Sequence, residues 1–296
     1  MTVMVTGASG PVGHALIPLL ARKDEVRAAV RDAASVDALS ALGAKVTLDR
    51  LDDASALAEV LGGVFTLVHL VGGPDQPDDD VLWDANHRSV LRALEAAHTA
   101  GVRRIVFVSV PGASPDASAP FLRAKGLAEE AVTTSGLQHA VIRSAPVVGI
   151  GSAWFAAVVA GALESPPVIW GPGGRSLAPV ALGDLAAALA VADDVDVDLA
   201  GTWSLEGPDA VSADELIEIL SGAAEPPSHL DGEPARTLLS SLFQREVSPH
   251  FVDALTHPER SDAPDAASFL GLERTSLVDA IRTALASATT HDGDGR

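Results

Sequence analysis

Residues 3–16 read VMVTGASGPVGHAL. A short apolar run ends at Thr6, glycines follow at a spacing of three (Gly7, Gly10, Gly13), and an apolar periodic segment, HALIPLLARK, comes next. This order predicts a strand, a tight turn and a helix N-terminus. Such a turn gathers bare backbone N–H groups and the positive end of a helix dipole at one point, where phosphate is the usual occupant. Gly7 permits the sharp turn, Gly10 lets a diphosphate approach the backbone, and Gly13 lets the helix pack close to the strand. Ser9, Pro11 and Val12 complete the turn. Taken alone, a glycine turn of this kind also occurs without a ligand.

The rest of the chain supplies the context. Short β-rich runs (TVMVTG, EVRAAVR, AKVTLDR, FTLVHLVG, RRIVFVSV, HAVIRSAPVVG) alternate with segments carrying apolar residues at helical spacing. Gly43, Gly101 and Gly136 stand where helices end. The β runs are continuously apolar, as parallel strands buried on both faces are. The expected class is α/β, a Rossmann doubly wound parallel sheet with a small C-terminal cap on the substrate side. The expected division is 1–150 for a dinucleotide-binding core, 151–286 for a mixed substrate-side region that partly returns to the core, and 287–296 for a disordered tail. Asp184 is expected at the N-cap or in the first turn of the helix LGDLAAALAVA.

The hydrophobic fraction of 47% over 296 residues supports a large core, and the net charge of −20 argues against nucleic acid or an anionic membrane as a direct partner. The absence of cysteine excludes disulfides, thiol nucleophiles and cysteine–zinc sites. The first strand starts beside Met1, leaving no room for a signal peptide, and the longest apolar run, AWFAAVVAGAL, falls short of the ~20 residues a bilayer span needs. A cytoplasmic monomer or homodimer acting on a small molecule is the expectation. The chain also contains no tyrosine.

Arg31 ends the second β run, where an acidic residue would hold a free ribose 2′-hydroxyl. A guanidinium there suits a 2′-phosphate, so NADP(H) is favoured over NAD(H). A solvated surface arginine is the competing reading, and Asp32 directly after it softens the preference.

Together, TGASGPVG, VRAAVRD, VHLVGG, NHRSVLRALEAAHTAGVRRIVFVSV, FLRAKGLAEEAVTTSGLQHAVIRSAPVVG and LAPVALGDLAAALA resemble, in order, the extended and atypical short-chain dehydrogenase/reductases, and most closely the NmrA-like NAD(P)H-binding branch. The resemblance covers most of residues 1–220. It implies a dinucleotide across the C-terminal ends of the strands. It carries Gly7, Gly10 and Gly13 to the diphosphate, Arg31 to the 2′-phosphate, and Val71 and Gly72 to the adenosine and its ribose. It places Ser109, Lys125 and Pro146-Val147-Val148 near the nicotinamide end.

Two departures stand out. The family's Tyr-x-x-x-Lys is here Phe121-x-x-x-Lys125, so the usual tyrosine proton relay cannot operate. The place of the family's adenine-facing Asp holds Arg50, followed by Leu51, with Asp49 one residue earlier. For Ser109, contact with a substrate carbonyl and a hydrogen bond capping the strand both stand. For Lys125, ribose binding, general acid work and a solvated helix position stand. Trp154, Phe155 and Trp170 line an apolar substrate pocket or belong to the core. His69 reads as a hydrogen-bonded core residue, Asn86 as a backbone or water partner near the site, and no metal site stands out. Three functions follow from the resemblance: an NADPH-dependent oxidoreductase of a small apolar or aromatic carbonyl or enone, a regulatory protein sensing NADP(H), and a non-redox isomerase or dehydratase on the same fold.

Overall fold

The computed structural model describes residues 1–48, 52–194, 197, 199–222, 226–256 and 260–291. Its first half repeats strand and helix: β1 (Thr2–Thr6), α1 (Pro11–Leu20), β2 (Glu25–Val30), α2 (Val36–Ala41), β3 (Ala44–Leu48), α3 (Ala54–Val60) and β4 (Thr66–His69). There follow α4 (Asp79–Trp83), α5 (Ser89–Ala100), β5 (Arg104–Ser109), α6 (Pro120–Thr134), β6 (Gln138–Ser144) and β7 (Val147–Val148). Beyond lie α7 (Ala153–Ala162), β8 (Val168–Trp170), β9 (Ser176–Leu177), β10 (Val180–Ala181), α8 (Leu182–Ala192) and β11 (Gly201–Leu205). The described chain ends with β12 (Val211–Ser212), α9 (Ala213–Ser221), β13 (Ser228–Leu230), α10 (Gly232–Leu242), α11 (Pro249–Thr256), α12 (Ala266–Leu270) and α13 (Leu277–His291).

Seven strands form one sheet in the order β3-β2-β1-β4-β5-β6-β11, and every pair in it is parallel. The alternation within β1 shows why both faces are covered. Val3 and Val5 pack with Leu16 and Ile17 of α1 and with Leu185 and Leu189 of α8. Met4, between them, packs with Leu57 of α3, Val90 of α5 and Val132 of α6. β1 has β2 on one side and β4 on the other, so the connections leave it in opposite directions. This switch point opens a crevice beyond the strand ends.

The region after residue 150 divides between two places. α8 and β11 join the sheet layers, β11 pairing with β6. α7, α9 and α13 share a separate apolar cluster, and α10 and α11 pack with Trp170 in another. Ser212 and Glu215 close a reciprocal capping box on α9. Asp184 sits in the first turn of α8, whose N-cap is Ala181; its carboxylate accepts from Thr275 N at 2.7 Å and Thr275 Oγ1 at 2.8 Å. α13 runs to His291, five residues into the stretch expected as a disordered tail.

Candidate functional site

The glycine turn has the expected conformation. Gly7 has φ +73°, and a Cβ on it would stand 2.7 Å from the Leu70 carbonyl carbon. On Gly13 a Cβ would stand 2.2 Å from the Ala8 oxygen, so this glycine serves the approach of α1 to the turn. Gly10 differs: it is the N-cap of α1, and a Cβ there would meet only the Gly7 oxygen, at 3.4 Å. The protein's own packing does not require Gly10 to be bare, whereas a ligand lying against the turn would.

A cavity of about 670 Å³ opens beside this turn, walled by Gly7, Ser9, Gly10, Arg31, Val71 and Gly72 among others. Arg31 is exposed at the mouth. Asp32 is engaged within its own turn, where its carboxylate accepts from Ala34 N at 3.0 Å and caps a short 3₁₀ segment. Asp84 and Arg92 pair through two bonds of 2.8 and 3.0 Å, and Arg92 holds the Asp84 carboxyl below its ordinary pKa, with Arg31 contributing. His69 lies on Thr6 Oγ1 at 2.9 Å and Ser89 Oγ at 3.3 Å, and burial pushes its imidazole down to about 3, so it is neutral. Arg50 and Leu51 lie outside the described residues.

Gly72 also borders a second cavity, of about 420 Å³, so the two spaces adjoin. Gly72 has φ +122°, and a Cβ on it would stand 2.5 Å from Asn86 Oδ1. Asn86 is wholly buried; it accepts from Gly73 N at 2.9 Å and donates to Gly73 O at 2.9 Å and Leu82 O at 3.0 Å. It lies in a π-helical turn, Asp84–Arg88, between α4 and α5. Helix precedes this turn: α4 starts at Asp79, where Asp78 accepts from Val81 N.

The second cavity is mostly apolar. Pro11, Val12, Phe121, Pro146, Val147 and Trp154 form much of its wall. Two of its serines are satisfied by main chain: Ser144 Oγ donates to Ala145 O at 2.9 Å and Ser152 Oγ to Val147 O at 2.7 Å. Ser109, at the end of β5, is fully buried, and its hydroxyl has no hydrogen-bond partner among the described residues. Leaving such a group unpaired costs about 1–3 kcal/mol, and its position in the wall fits a polar atom of a bound molecule. Bare Gly10 beside one cavity leaves room for a diphosphate at the turn, and unpaired Ser109 in the other leaves a hydroxyl for a molecule bound there.

Among the described residues, five expected site residues line neither cavity: Gly13, which serves the approach of α1 to the turn, and four more. Lys125 is not in the cavity wall: its Nζ donates to Val108 O at 3.1 Å and lies 4.8 Å from the Phe107 ring centroid. Burial pushes this amine down to about 8, while Glu129 works the other way. Val148 faces an apolar cluster with Phe155, which the backbone of α7 turns inward. Trp170 is also core, its indole N–H donating to Ala157 O at 2.7 Å. Of the three aromatic candidates, Trp154 borders the cavity. Among the wall residues not foreseen from the sequence are His250, Phe251, Asp253 and Ala254, which α11 brings in. A single histidine in a Pro-rich stretch carries no signal of that placement. Among the described residues no cluster of acidic and histidine groups could hold a metal, and no helix is long and apolar enough to cross a membrane.

Fold and site define a nucleotide-binding Rossmann protein, and residues 7–148 match the NAD(P)H-binding family. The chain is 37% identical to sterol demethylase protein B of Methylococcus capsulatus over 38% of this chain, spanning only 35% of that relative. It is 29% identical to the (4-alkanoyl-5-oxo-2,5-dihydrofuran-3-yl)methyl phosphate reductase of Streptomyces griseus over 85% of each chain. Among solved structures, a dTDP-glucose 4,6-dehydratase from Streptomyces venezuelae with NAD bound superposes with a TM-score of 0.77 at 18% identity, covering 99% of this chain and 98% of the other, which is a likeness of fold. Residues 7–148 are thus similar to NAD(P)H-binding domains, and the whole chain shares its fold with that dehydratase.

Proposed function

We propose that the chain is an NADPH-dependent reductase of small apolar or aromatic carbonyl or enone compounds that works without a tyrosine. The carrying observation is the adjacency of the two cavities at Gly72, with the unpaired hydroxyl of Ser109 in the apolar one. In this reading Gly7 and Gly10 receive the diphosphate and Arg31 the 2′-phosphate. Asp32, engaged with Ala34 N, leaves the ribose position to Arg31. The dinucleotide, when bound, supplies hydride. Ser109 donates to the carbonyl oxygen of the substrate, and the apolar wall of Phe121, Val147 and Trp154 keeps water away and selects an apolar body. The reductase from Streptomyces griseus lends support by its own activity.

The test is to titrate NADPH and NADH by fluorescence and then follow NADPH oxidation over a panel of ketones, enones and quinones. Tighter NADPH binding with turnover of apolar members is the expected result. Equal binding of both cofactors removes the NADPH preference, and tight binding without turnover of any member removes the reductase. A second reading, an NADP(H)-sensing binding protein, draws on the absent phenol at Phe121 and on Lys125 being engaged with Val108. It takes over on that last result.

A further inference from the structure

We propose that His250 is the proton donor of the apolar cavity, with Asp79 as its positioning residue. The inference rests on the reductase reading and adds the group that stands in for the absent phenol. His250 lies in α11, far in sequence from the glycine turn and from β5, and it lines the cavity that holds Ser109 and Phe121. Its ring is held: Nε2 donates to Asp79 Oδ1 at 2.7 Å. That bond fixes the ring and the tautomer, leaving Nδ1, which makes no hydrogen bond among the described residues. The side chain of His250 is only 11% exposed, whereas that of Asp79 is 74% exposed, so the pair joins the apolar cavity to solvent.

The backbone around His250 is anchored to the segment that borders both cavities. Ser248 Oγ donates to Pro74 O at 3.1 Å, Ser248 N donates to Asp75 Oδ1 at 3.1 Å, and Arg245 pairs with Asp75. These bonds tie α11 to the strap that starts at Gly72, so His250 is placed by the same segment that joins the two spaces. The other charged groups of this corner are Asp253 on the same helix and the Asp75–Arg245 pair. Neither offers a better donor: a carboxylate accepts, and the guanidinium of Arg245 is paired. Lys125 is engaged with Val108 O and stands outside the cavity wall.

The step balances. Reduction of a carbonyl adds hydride to carbon and a proton to oxygen. The hydride carries both electrons and comes from the reduced dinucleotide. The proton leaves the doubly protonated imidazole of His250, breaking an N–H bond as the O–H bond forms. His250 is left neutral with its Nε2 proton still donated to Asp79 Oδ1, and Nδ1 takes a proton back from solvent once the product has left. Ser109 steadies the oxygen by hydrogen bonding and need not change its protonation.

Two measurements test this. First, the intact protein labelled with ¹³C-histidine is titrated, without dinucleotide, with an apolar cyclic ketone, and the His250 resonance is assigned by its loss in His250→Gln. Movement of that resonance with ketone binding is expected; a resonance that stays put, whether or not the ketone binds elsewhere, overturns the assignment. Second, His250→Gln, which keeps a donor toward Asp79, is assayed at saturating NADPH. Turnover should fall ~100-fold or more with NADPH affinity unchanged, and Asp79→Ala should lower turnover less. Wild-type turnover in His250→Gln overturns the proposal. A protein that binds NADPH but reduces none of the panel overturns the reductase reading instead, and the resonance then decides on His250 by itself.

Discussion

Lys125 Nζ donates to the main-chain carbonyl of Val108 at 3.1 Å, one residue before Ser109. The lysine of the Phe-x-x-x-Lys pattern therefore braces the end of β5 from behind, while the serine in the cavity wall has no partner of its own among the described residues. A buried ammonium on one carbonyl is an uncomfortable charge, and its depressed pKa has a measurable consequence.

Folding takes the Lys125 amine from the ordinary lysine value of 10.5 to about 8 through burial. Between these values the unfolded chain binds more protons than the folded one, so this residue makes stability rise with pH from about 8 to 10.5. Urea unfolding of the wild type and Lys125→Met across that window should show their difference moving in favour of the wild type, by up to about 3 kcal/mol. A difference that stays flat would falsify the buried, lowered state of the amine.

Arg31→Ala should weaken NADPH binding ~10–100-fold, corresponding to ~1.5–3 kcal/mol for a charged hydrogen bond, and leave NADH binding as it was. Isothermal titration with both cofactors checks this. Equal loss for the two would assign Arg31 to general electrostatics rather than to the 2′-phosphate.

Gly10→Ala and Gly13→Ala separate ligand from packing. A methyl on Gly10 meets only Gly7 O at 3.4 Å, so the variant should fold with stability within about 1 kcal/mol of wild type and lose dinucleotide affinity. A methyl on Gly13 would overlap the Ala8 carbonyl, so that variant should be strongly destabilised. Thermal melts with and without NADPH distinguish the two; the opposite ranking would sink the assignment of Gly10 to the diphosphate.

Asn86→Ala removes three hydrogen bonds that hold Gly73 and Leu82. Unfolding should become easier by about 1–3 kcal/mol, and dinucleotide affinity should drop, because Gly72 beside this anchor borders both cavities. Unchanged affinity in a destabilised variant would show that the strap keeps its place without Asn86.

The sheet was legible because its strands announce themselves as continuous apolar runs and the turn because only glycine satisfies Gly7 and Gly13. Trp154, Phe155 and Trp170 were not separable, since an aromatic side chain is apolar whether it faces a cavity or a core; the phase of α7 decides for Trp154 and Phe155. Phe121 and Lys125 stand four residues apart on α6, but the target of Lys125, the Val108 carbonyl, is set by the depth of packing between α6 and β5. The Asp84–Arg92 pair is bent around a π-helical turn, which shifts the helix phase away from the regular i, i+4 pattern. His250 and Asp79 lie 171 residues apart and meet only because α11 folds back over the strap.

The central claim, transfer of hydride to a small apolar carbonyl compound, is tested most directly with NADPH carrying deuterium at the transferable position. Each compound of the ketone, enone and quinone panel is incubated with the protein, and the product is analysed by mass spectrometry and NMR. Carbon-bound deuterium in a reduced ketone or enone is the predicted result, on one face of the new centre, formed ~100-fold or more slowly when Ser109 is replaced by Ala at saturating NADPH. Tight binding of the labelled NADPH with no deuterium in any product would contradict it.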